Sequence, residues 1–222
     1  MLGVNDFGVD VVLPCLDEAA ALPGVLGALP PGYRAIVVDN GSADGSPEMA
    51  AVFGAKVIRE PRRGYGAAVH AGLEAATADI VCFADADGSL DLAELPGLVA
   101  AVRAGADLAV GRRVPTGPGV WPWHARAGNA VLALMLRSRG LPVRDIAPLR
   151  AANRRALLAL DVTDRAFGYP LELLIKAQRA GWQVSESDVR YRERAKGTKS
   201  KVSGSLKGTL RAVRDFGRVL AR

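Results

Sequence analysis

Short runs rich in Val, Ile and Ala alternate, through the first half of this chain, with stretches whose apolar residues recur every three or four positions. The runs Val9 to Leu13, Ala35 to Asp39, Lys56 to Arg59, Ile80 to Ala84 and Asp107 to Gly111 predict strands. The stretches between them, Glu18 to Leu29, Ser46 to Phe53, Tyr65 to Ala76 and Leu92 to Ala104, predict helices. Such alternation builds an α/β fold around a mostly parallel, doubly wound sheet. Ligands of these sheets lie at the carboxyl ends of the strands, and the conspicuous polar residues fall there. Pro14-Cys15-Leu16-Asp17-Glu18 follows the first strand, Asp39-Asn40-Gly41-Ser42-Ala43-Asp44-Gly45 the second, and Asp85-Ala86-Asp87 the fourth.

Beyond Gly111 the pattern loosens. Pro115 to Trp123 reads as a Pro/Gly-rich flap, Ala125 to Arg139 as a helix, and Asp145-Ile146-Ala147-Pro148 as a turn. A helix near Leu171 to Ala180 leads to a strand at Gln183 to Tyr191. From Leu206 the helical phase is clear: Lys207, Arg211, Arg214, Arg218 and Arg222 recur at steps of three and four beside an apolar stripe of Leu206, Leu210, Val213 and Leu220. Two readings stand for this basic amphipathic helix. Together with Lys196, Lys199 and Lys201 it holds an anionic membrane surface, or its stripe packs on the sheet and its charges are a solvated face. The expected division is one domain over residues 1–201 with the basic helix at 202–222.

At 222 residues and 50% hydrophobic, the chain suits a single domain with a substantial core. Its two cysteines, Cys15 and Cys82, sit in strand-like apolar contexts without CxxC spacing, which points to core thiols and a reducing compartment. The N-terminus lacks the basic and apolar regions of a leader, and the longest apolar helical stretch, Ala130 to Leu136, is far short of a membrane span. A cytoplasmic protein, soluble or peripheral on the membrane, is expected. The overall charge of +6 conceals a split: residues 1–111 hold 6 Lys/Arg against 15 Asp/Glu, residues 112–222 hold 23 against 8. The second half therefore suits an anionic partner.

Asp85 and Asp87 carry the sharpest chemistry. By itself Asp87-Gly88-Ser89 is an ordinary turn. At the end of a buried strand, however, two carboxylates spaced i and i+2 lie on one face of an extended segment, where both can approach a hard divalent cation and a diphosphate. A nucleic-acid module built on the basic tail would leave Asp39, Asp85 and Asp87 unexplained, and the tail has few aromatics for base stacking. A hydrolase reading finds no G-x-S-x-G in this chain, and a sugar-phosphate nucleotidyltransferase would carry a Gly-rich loop after its first strand where this chain has Pro14 to Glu18. His70 and His124 read as structural or surface residues.

Val12-Leu13-Pro14-Cys15-Leu16-Asp17-Glu18, Val38-Asp39-Asn40-Gly41-Ser42 and Asp85-Ala86-Asp87 resemble the nucleotide and metal motifs of inverting family 2 glycosyltransferases with the GT-A fold. Gly64-Tyr65-Gly66-Ala67-Ala68, Val110-Gly111-Arg112-Arg113, Trp123 to Arg126, Asp145, Gly168 to Glu172 and Arg194 to Lys201 follow in the order seen in polyprenyl-phosphate mannose and glucose synthases, the dolichyl-phosphate mannose synthase branch. The resemblance implies a nucleotide-sugar donor, GDP-mannose or UDP-glucose, bound by Pro14, Leu16, Glu18, Asp39, Gly64, Asp85 and Ala86. It implies Mg²⁺ or Mn²⁺ at Asp87 and Asp85, and a polyprenyl phosphate acceptor. Asp87, Arg113, Arg126 and Arg194 would be catalytic, with those three arginines, Ser200 and Lys201 clamping phosphates, and no nucleic-acid partner is expected. A soluble small-molecule, protein or oligosaccharide acceptor is the alternative. The chain departs from the family pattern at Asn40, where a second Asp is usual, at Ser89, and in an extra residue within Gly197-Thr198-Lys199-Ser200-Lys201; the C-terminal membrane helices of some relatives are not expected here.

Overall fold

The structure is a computed structural model that describes residues 8–198 and 206–221, with residues 206–210 as backbone only. Among these, seven strands form one sheet: β1 (Val9–Cys15), β2 (Tyr33–Asp39), β3 (Lys56–Arg59), β4 (Ile80–Phe83), β5 (Leu108–Pro115), β6 (Leu149–Asn153) and β7 (Val184–Tyr191), in the spatial order β3-β2-β1-β4-β6-β5-β7. Every pairing is parallel except those of β6, which runs antiparallel to both β4 and β5. Because side chains alternate across a strand, Val11, Leu13 and Cys15 point to one face of the sheet while Val12 points to the other. Helices cover both faces, which is why the strands read as near-continuous apolar runs.

On one face lie α1 (Leu22–Gly27), α2 (Ser46–Val52) and α4 (Leu95–Arg103), contributing Leu22, Val25, Ala50, Leu95, Leu98 and Val99 to the core. On the other, α3 (Tyr65–Ala75) and α7 (Tyr169–Arg179) bring Val69, Leu73, Leu171 and Leu174 against Val12, Ile36, Val38 and Phe83. α3 sits so close to the sheet that a Cβ at Gly72 would fall 2.3 Å from the Val12 side chain, so the helix has to present a glycine there. Two further helices complete the first body of the chain, α5 (Trp123–Ser138) and α6 (Arg154–Ala159).

Most expected elements are present within a few residues of their expected bounds. The stretch from Leu92 divides into a 3₁₀ turn, Leu92–Glu94, and α4, because Pro96 fits only the first turn of a helix. α1 is a short remnant of the expected helix, beginning beside Pro23. β6 and α6 lie where no element was expected: an Ala-rich segment with arginine second in line has little β character of its own, and only its two neighbouring strands make it one. Cys15 and Cys82 are buried and unpaired, as core thiols should be, and burial pushes the Cys15 thiol up to about 11.

The last helix, α8 (Leu206–Leu220), meets α7. Ala212, Asp215 and Val219 are buried and Phe216 and Leu220 pack against the core, whereas Val213, expected in the apolar stripe, is 63% exposed. The packed face is thus rotated from the expected one and includes Asp215, which Arg214 contacts at 3.3 Å. The side chains of Leu206, Lys207 and Leu210, and all of Lys199, Ser200, Lys201 and Arg222, lie outside the described residues. Among the described residues no helix is long and apolar enough to cross a membrane.

A buried ion pair ties the sheet's opening strands together. Asp10 on β1 is fully buried and accepts from Arg34 Nε and Nη2 at 2.8 and 2.9 Å and from the backbone N–H of Thr77 and Ala78 at 2.7 and 2.9 Å. Burial alone would raise its carboxyl, but the guanidinium and the N–H donors together hold it below its ordinary value. Asp10→Asn is therefore expected to cost about 2–3 kcal/mol at pH 7, since Arg34 loses its carboxylate in a largely buried place. A folded-state value below the unfolded one, roughly 3.9, adds stability above that pH that disappears as pH falls through the folded value. Urea melts of the two proteins should accordingly converge as the pH falls below about 4; an unchanged gap would refute the assignment.

Candidate active site

One edge of the sheet collects Glu18, Asp39, Asn40, Asp87, Asp145 and Arg150, all buried. The carboxyl ends of β1, β2, β4, β5 and β7 open there, and because β6 is reversed it contributes its leading turn, residues 144–148, to the same edge. Asp145 and Arg150 reach the mouth of the sheet for this reason.

The loops after β1 and β2 are laced together. Asp17, at φ +53°, donates its N–H to Ser42 Oγ (3.0 Å) and accepts from Ala43 N–H (2.9 Å); Glu18 N–H donates to Ser46 Oγ (2.9 Å) and Ala19 N–H to Asp44 (2.9 Å). Pro14 and Leu16 are half-buried and Glu18 and Asp39 are buried alongside them, Asp39 accepting from Ser42 N–H at 2.9 Å. Asn40 has a different duty. Its amide donates to the carbonyls of Glu60 and Arg62 and accepts from Gly64 N–H at 2.8 Å, which latches β2 to the loop ahead of α3. Gly64 is compelled by contact: at φ +147° its missing Cβ would lie 2.1 Å from the Arg165 carbonyl. Carbonyls of Ala166 and Arg165 then accept from the N–H groups of Gly66 and Ala67 in the first turn of α3 at 3.0 and 2.9 Å.

Asp85 and Asp87 follow β4 on a bend. Asp87 is buried, its Oδ1 accepting from Ser89 N–H at 2.9 Å and its Oδ2 facing Arg194 Nη1 at 2.7 Å. Arg194 is carried there by the segment after β7, which crosses the bend through Arg192 N–H to Ser89 O (2.8 Å) and Ala195 N–H to Asp87 O (3.0 Å). Burial and the neighbouring Asp87 charge push the Asp85 carboxyl well above the usual carboxylate range, and Arg194, Arg113 and Arg150 pull it back. Ala86 is buried between the two.

Arg113 on β5 is gripped by Asp145, Nε to Oδ2 at 2.8 Å and Nη2 to Oδ1 at 2.7 Å, and stacks 4.1 Å from the Trp121 ring with Tyr191 at 5.5 Å. Asn129 of α5 braces the pair, accepting from Ile146 N–H at 3.1 Å. The expected flap is therefore anchored, since Trp121 also packs on Tyr191 and Thr116 N–H donates to the Tyr191 carbonyl at 3.0 Å. Burial would raise the Asp145 carboxyl, yet the Arg113 guanidinium holds it below its ordinary range. Arg150 of β6, 3% exposed, is satisfied by the carbonyls of Ala147, Pro170 and Ile146 rather than by a carboxylate, and burial pushes its guanidinium down to about 10.

Beside Arg113 opens a pocket of about 270 Å³ lined by Arg112, Arg113, Arg126 and Arg144 together with Trp121 and Asn129. Arg112 is engaged by Asp188; among the described residues no carboxylate pairs with Arg126 or Arg144. Of the anticipated site residues, the structure thus unites Asp87 with Arg194, Arg113 with Arg126, and Pro14, Glu18 and Asp39 with one another. Arg113 stands at the site with two of its donors already held by Asp145. Ser200 and Lys201 lie outside the described residues. Sequence reading missed Arg150, Trp121, Asn129 and Arg144; an arginine inside an Ala-rich run was the available signal for the first, and nothing local marked the others. His70, close to Glu74 and Tyr169, and His124, exposed beside Trp123, take no part.

Two carboxylates supply oxygen donors suited to Mg²⁺ or Mn²⁺. Among the described residues no group of three or more His, Cys, Asp and Glu gathers into a fuller ligand set. The pair therefore fits a cation that reserves most of its positions for phosphate oxygens and water.

Comparison with known proteins shows the family and the fold. Residues 10–160 match the model of glycosyl transferase family 2. An uncharacterized glycosyltransferase of Mycobacterium tuberculosis is 57% identical over 214 residues, covering 96% of this chain and 98% of that protein. A polyprenol monophosphomannose synthase of Mycolicibacterium smegmatis is 32% identical over 218 residues, covering 88% and 81%. Glucosyl-3-phosphoglycerate synthase of M. tuberculosis, solved with Mn²⁺, uridine diphosphate and glucosyl-3-phosphoglycerate, shares the fold at a TM-score of 0.75 and 24% identity, covering 97% of this chain and 79% of that one.

The grip on Arg113 is open to a double-mutant cycle. Asp145→Asn is expected to destabilise by about 3 kcal/mol, because it strands a mostly buried guanidinium, and Arg113→Met in that background should recover part of the loss. Strictly additive effects in urea denaturation would contradict the pairing.

Proposed function

We propose that this chain, which belongs to glycosyl transferase family 2, transfers a hexose from GDP-mannose or UDP-glucose to a polyprenyl phosphate, with inversion at the anomeric carbon. The observation that carries the reading is the arrangement of an arginine-lined pocket beside a carboxylate pair, Asp87 buried and Asp85 half-buried: one place asks for a phosphate and its neighbour asks for a cation. Arg113 joins them, facing the pocket while its charge acts on Asp85. The resemblance to polyprenol monophosphomannose synthase supports the same class of acceptor.

In this reading Pro14, Leu16, Glu18 and Asp39 bind the nucleoside, the two carboxylates accepting hydrogen bonds from ribose hydroxyls and a base N–H. Gly64 and Ala86 shape the backbone around it, and Asp85 and Asp87 hold the divalent ion. When bound, that ion stabilises the charge growing on the departing nucleoside diphosphate. Arg194 lies where it can share that charge once the donor enters, since it already pairs with Asp87. Arg113 and Arg126, with Ser200 and Lys201, receive the acceptor phosphate, to which a guanidinium fork is geometrically matched. That phosphate is ionised at neutral pH, so the nucleophile needs positioning and charge compensation more than a base. Its oxygen forms the new bond to the anomeric carbon as the bond to the donor phosphate breaks and nucleoside diphosphate leaves. The site of action follows from the acceptor: a peripheral position on the cytoplasmic face of a membrane.

Nucleoside diphosphate release tests the reading, measured over a panel of nucleotide sugars with Mg²⁺ or Mn²⁺, with polyprenyl phosphate, with 3-phosphoglycerate or with neither. Release that needs the lipid phosphate and falls at least about a hundredfold in Asp87→Ala is the expected result. Arg126→Ala should lower turnover more than nucleotide affinity. Transfer to 3-phosphoglycerate alone, or full activity in Asp87→Ala, would overturn the acceptor or the metal assignment respectively.

A further inference from the structure

α5 presents to solvent a face that the fold leaves uncovered. Its inner side chains, Ala133 and Leu136 with Leu132, pack on the core, but Trp123 is 80%, Val131 58% and Leu134 60% exposed. With 3.6 residues per turn, Trp123, Ala127, Ala130, Val131 and Leu134 fall within an arc of about 100°. Of the seven large hydrophobic side chains most exposed among the described residues, three lie on this face and a fourth, Val114, lines the adjoining arginine pocket. Such clustering is the mark of an interaction surface, in contrast to the scattered apolar residues of any protein exterior.

Charge selects the partner. Residues 108–144 contain no Asp or Glu and six arginines. Arg126 and Arg137 border the apolar arc along one edge of the helix, with Arg139 just past its end, and all three are exposed. A second copy of the chain docked through this same face would set arginine against arginine without a carboxylate from either helix to answer them. An anionic lipid surface meets both halves of the pattern, taking the apolar face into its headgroup boundary and the arginines among its phosphates. α8 is less suited, because Ala212, Val219 and Phe216 are already turned against the protein.

We infer that α5 is the membrane-docking element of this protein, seating its Trp123, Val131 and Leu134 face on an anionic leaflet. The inference rests on the lipid-phosphate reading of the acceptor and deepens it: Arg126 lines the pocket from the same helix, so docking carries the pocket mouth to the surface where a lipid phosphate is presented.

Co-sedimentation of the full chain with vesicles of phosphatidylcholine, alone or mixed with phosphatidylglycerol, reads docking without donor or acceptor. Binding only to the mixed vesicles, weakened by salt, is expected. Val131→Ser with Leu134→Ser should weaken it by roughly tenfold or more, and Arg137→Glu with Arg139→Glu likewise, while circular dichroism and transfer to a detergent-dispersed polyprenyl phosphate are unchanged. Normal vesicle binding by both variants, loss of binding on charge reversal of Arg211, Arg214 and Arg218 alone, or a stable dimer that only Val131→Ser with Leu134→Ser dissolves, would each overturn the assignment. The two readings separate cleanly: α5-dependent docking without any lipid glycosylation removes the acceptor proposal and leaves the surface standing, and glycosylation without α5-dependent docking does the reverse.

Discussion

Two carboxylates separated by one residue, sunk at the mouth of a sheet, must be answered by positive charge, because an uncompensated buried anion costs more than the net stability of a domain. Much of the second half of the chain is arranged around that constraint. Arg194 arrives on the segment after β7 and pairs with Asp87, while Arg113 and Arg150 act on Asp85 from β5 and β6. The contrast between an acidic first half and a basic second half is in part this complementarity, folded inward. The second half also carries a surplus that faces outward, at Arg126, Arg144 and along α5.

Reversal of one strand makes the arrangement possible. A strictly parallel continuation would place the turn ahead of β6 at the far edge of the sheet, and neither Asp145 nor Arg150 would reach the carboxylates. With β6 antiparallel between β4 and β5, that turn lies at the mouth, Asp145 grips Arg113, and the Ile146 and Ala147 carbonyls hold Arg150. The arginines are consequently graded. Arg150 is saturated by carbonyls within the core; Arg113 is oriented by a carboxylate and an indole ring; Arg126 and Arg144 stand open at the pocket. Rigid groups lie behind available ones, which suits a site that receives charged ligands, since fixed neighbours keep the open donors aimed without reorganisation when the ligand arrives.

The opposite side of the mouth is organised by short polar side chains instead of charge. Ser42, Asp44 and Ser46 lace the loop after β2 to the loop after β1, and Asn40 latches β2 to the loop before α3. Replacement of the usual second aspartate by Asn40 therefore has a local reason: an amide both donates to two carbonyls and accepts one N–H, which a carboxylate, acceptor only, does not.

What the sequence determined by itself follows from periodicity and from fixed spacing. Doubly buried parallel strands leave continuous apolar runs, so β1 to β5 and their helices were legible, and with them the polar loops at the strand ends that carry Asp39, Asp85 and Asp87. Arg113, Arg126 and Arg194 were also legible as candidates, by resemblance. Tertiary structure decided what those residues touch. β6 has too little strand character to be seen alone, so neither its reversal nor the burial of Arg150 was visible, and the bidentate grip of Asp145 on Arg113 spans 32 positions that only the sheet brings together. The face that α8 buries, and the one α5 leaves bare, were likewise settled by which neighbours were there to cover them. Amphipathic patterning states that a helix has an apolar face; whether protein, lipid or water meets that face depends on contacts that no local stretch of sequence contains.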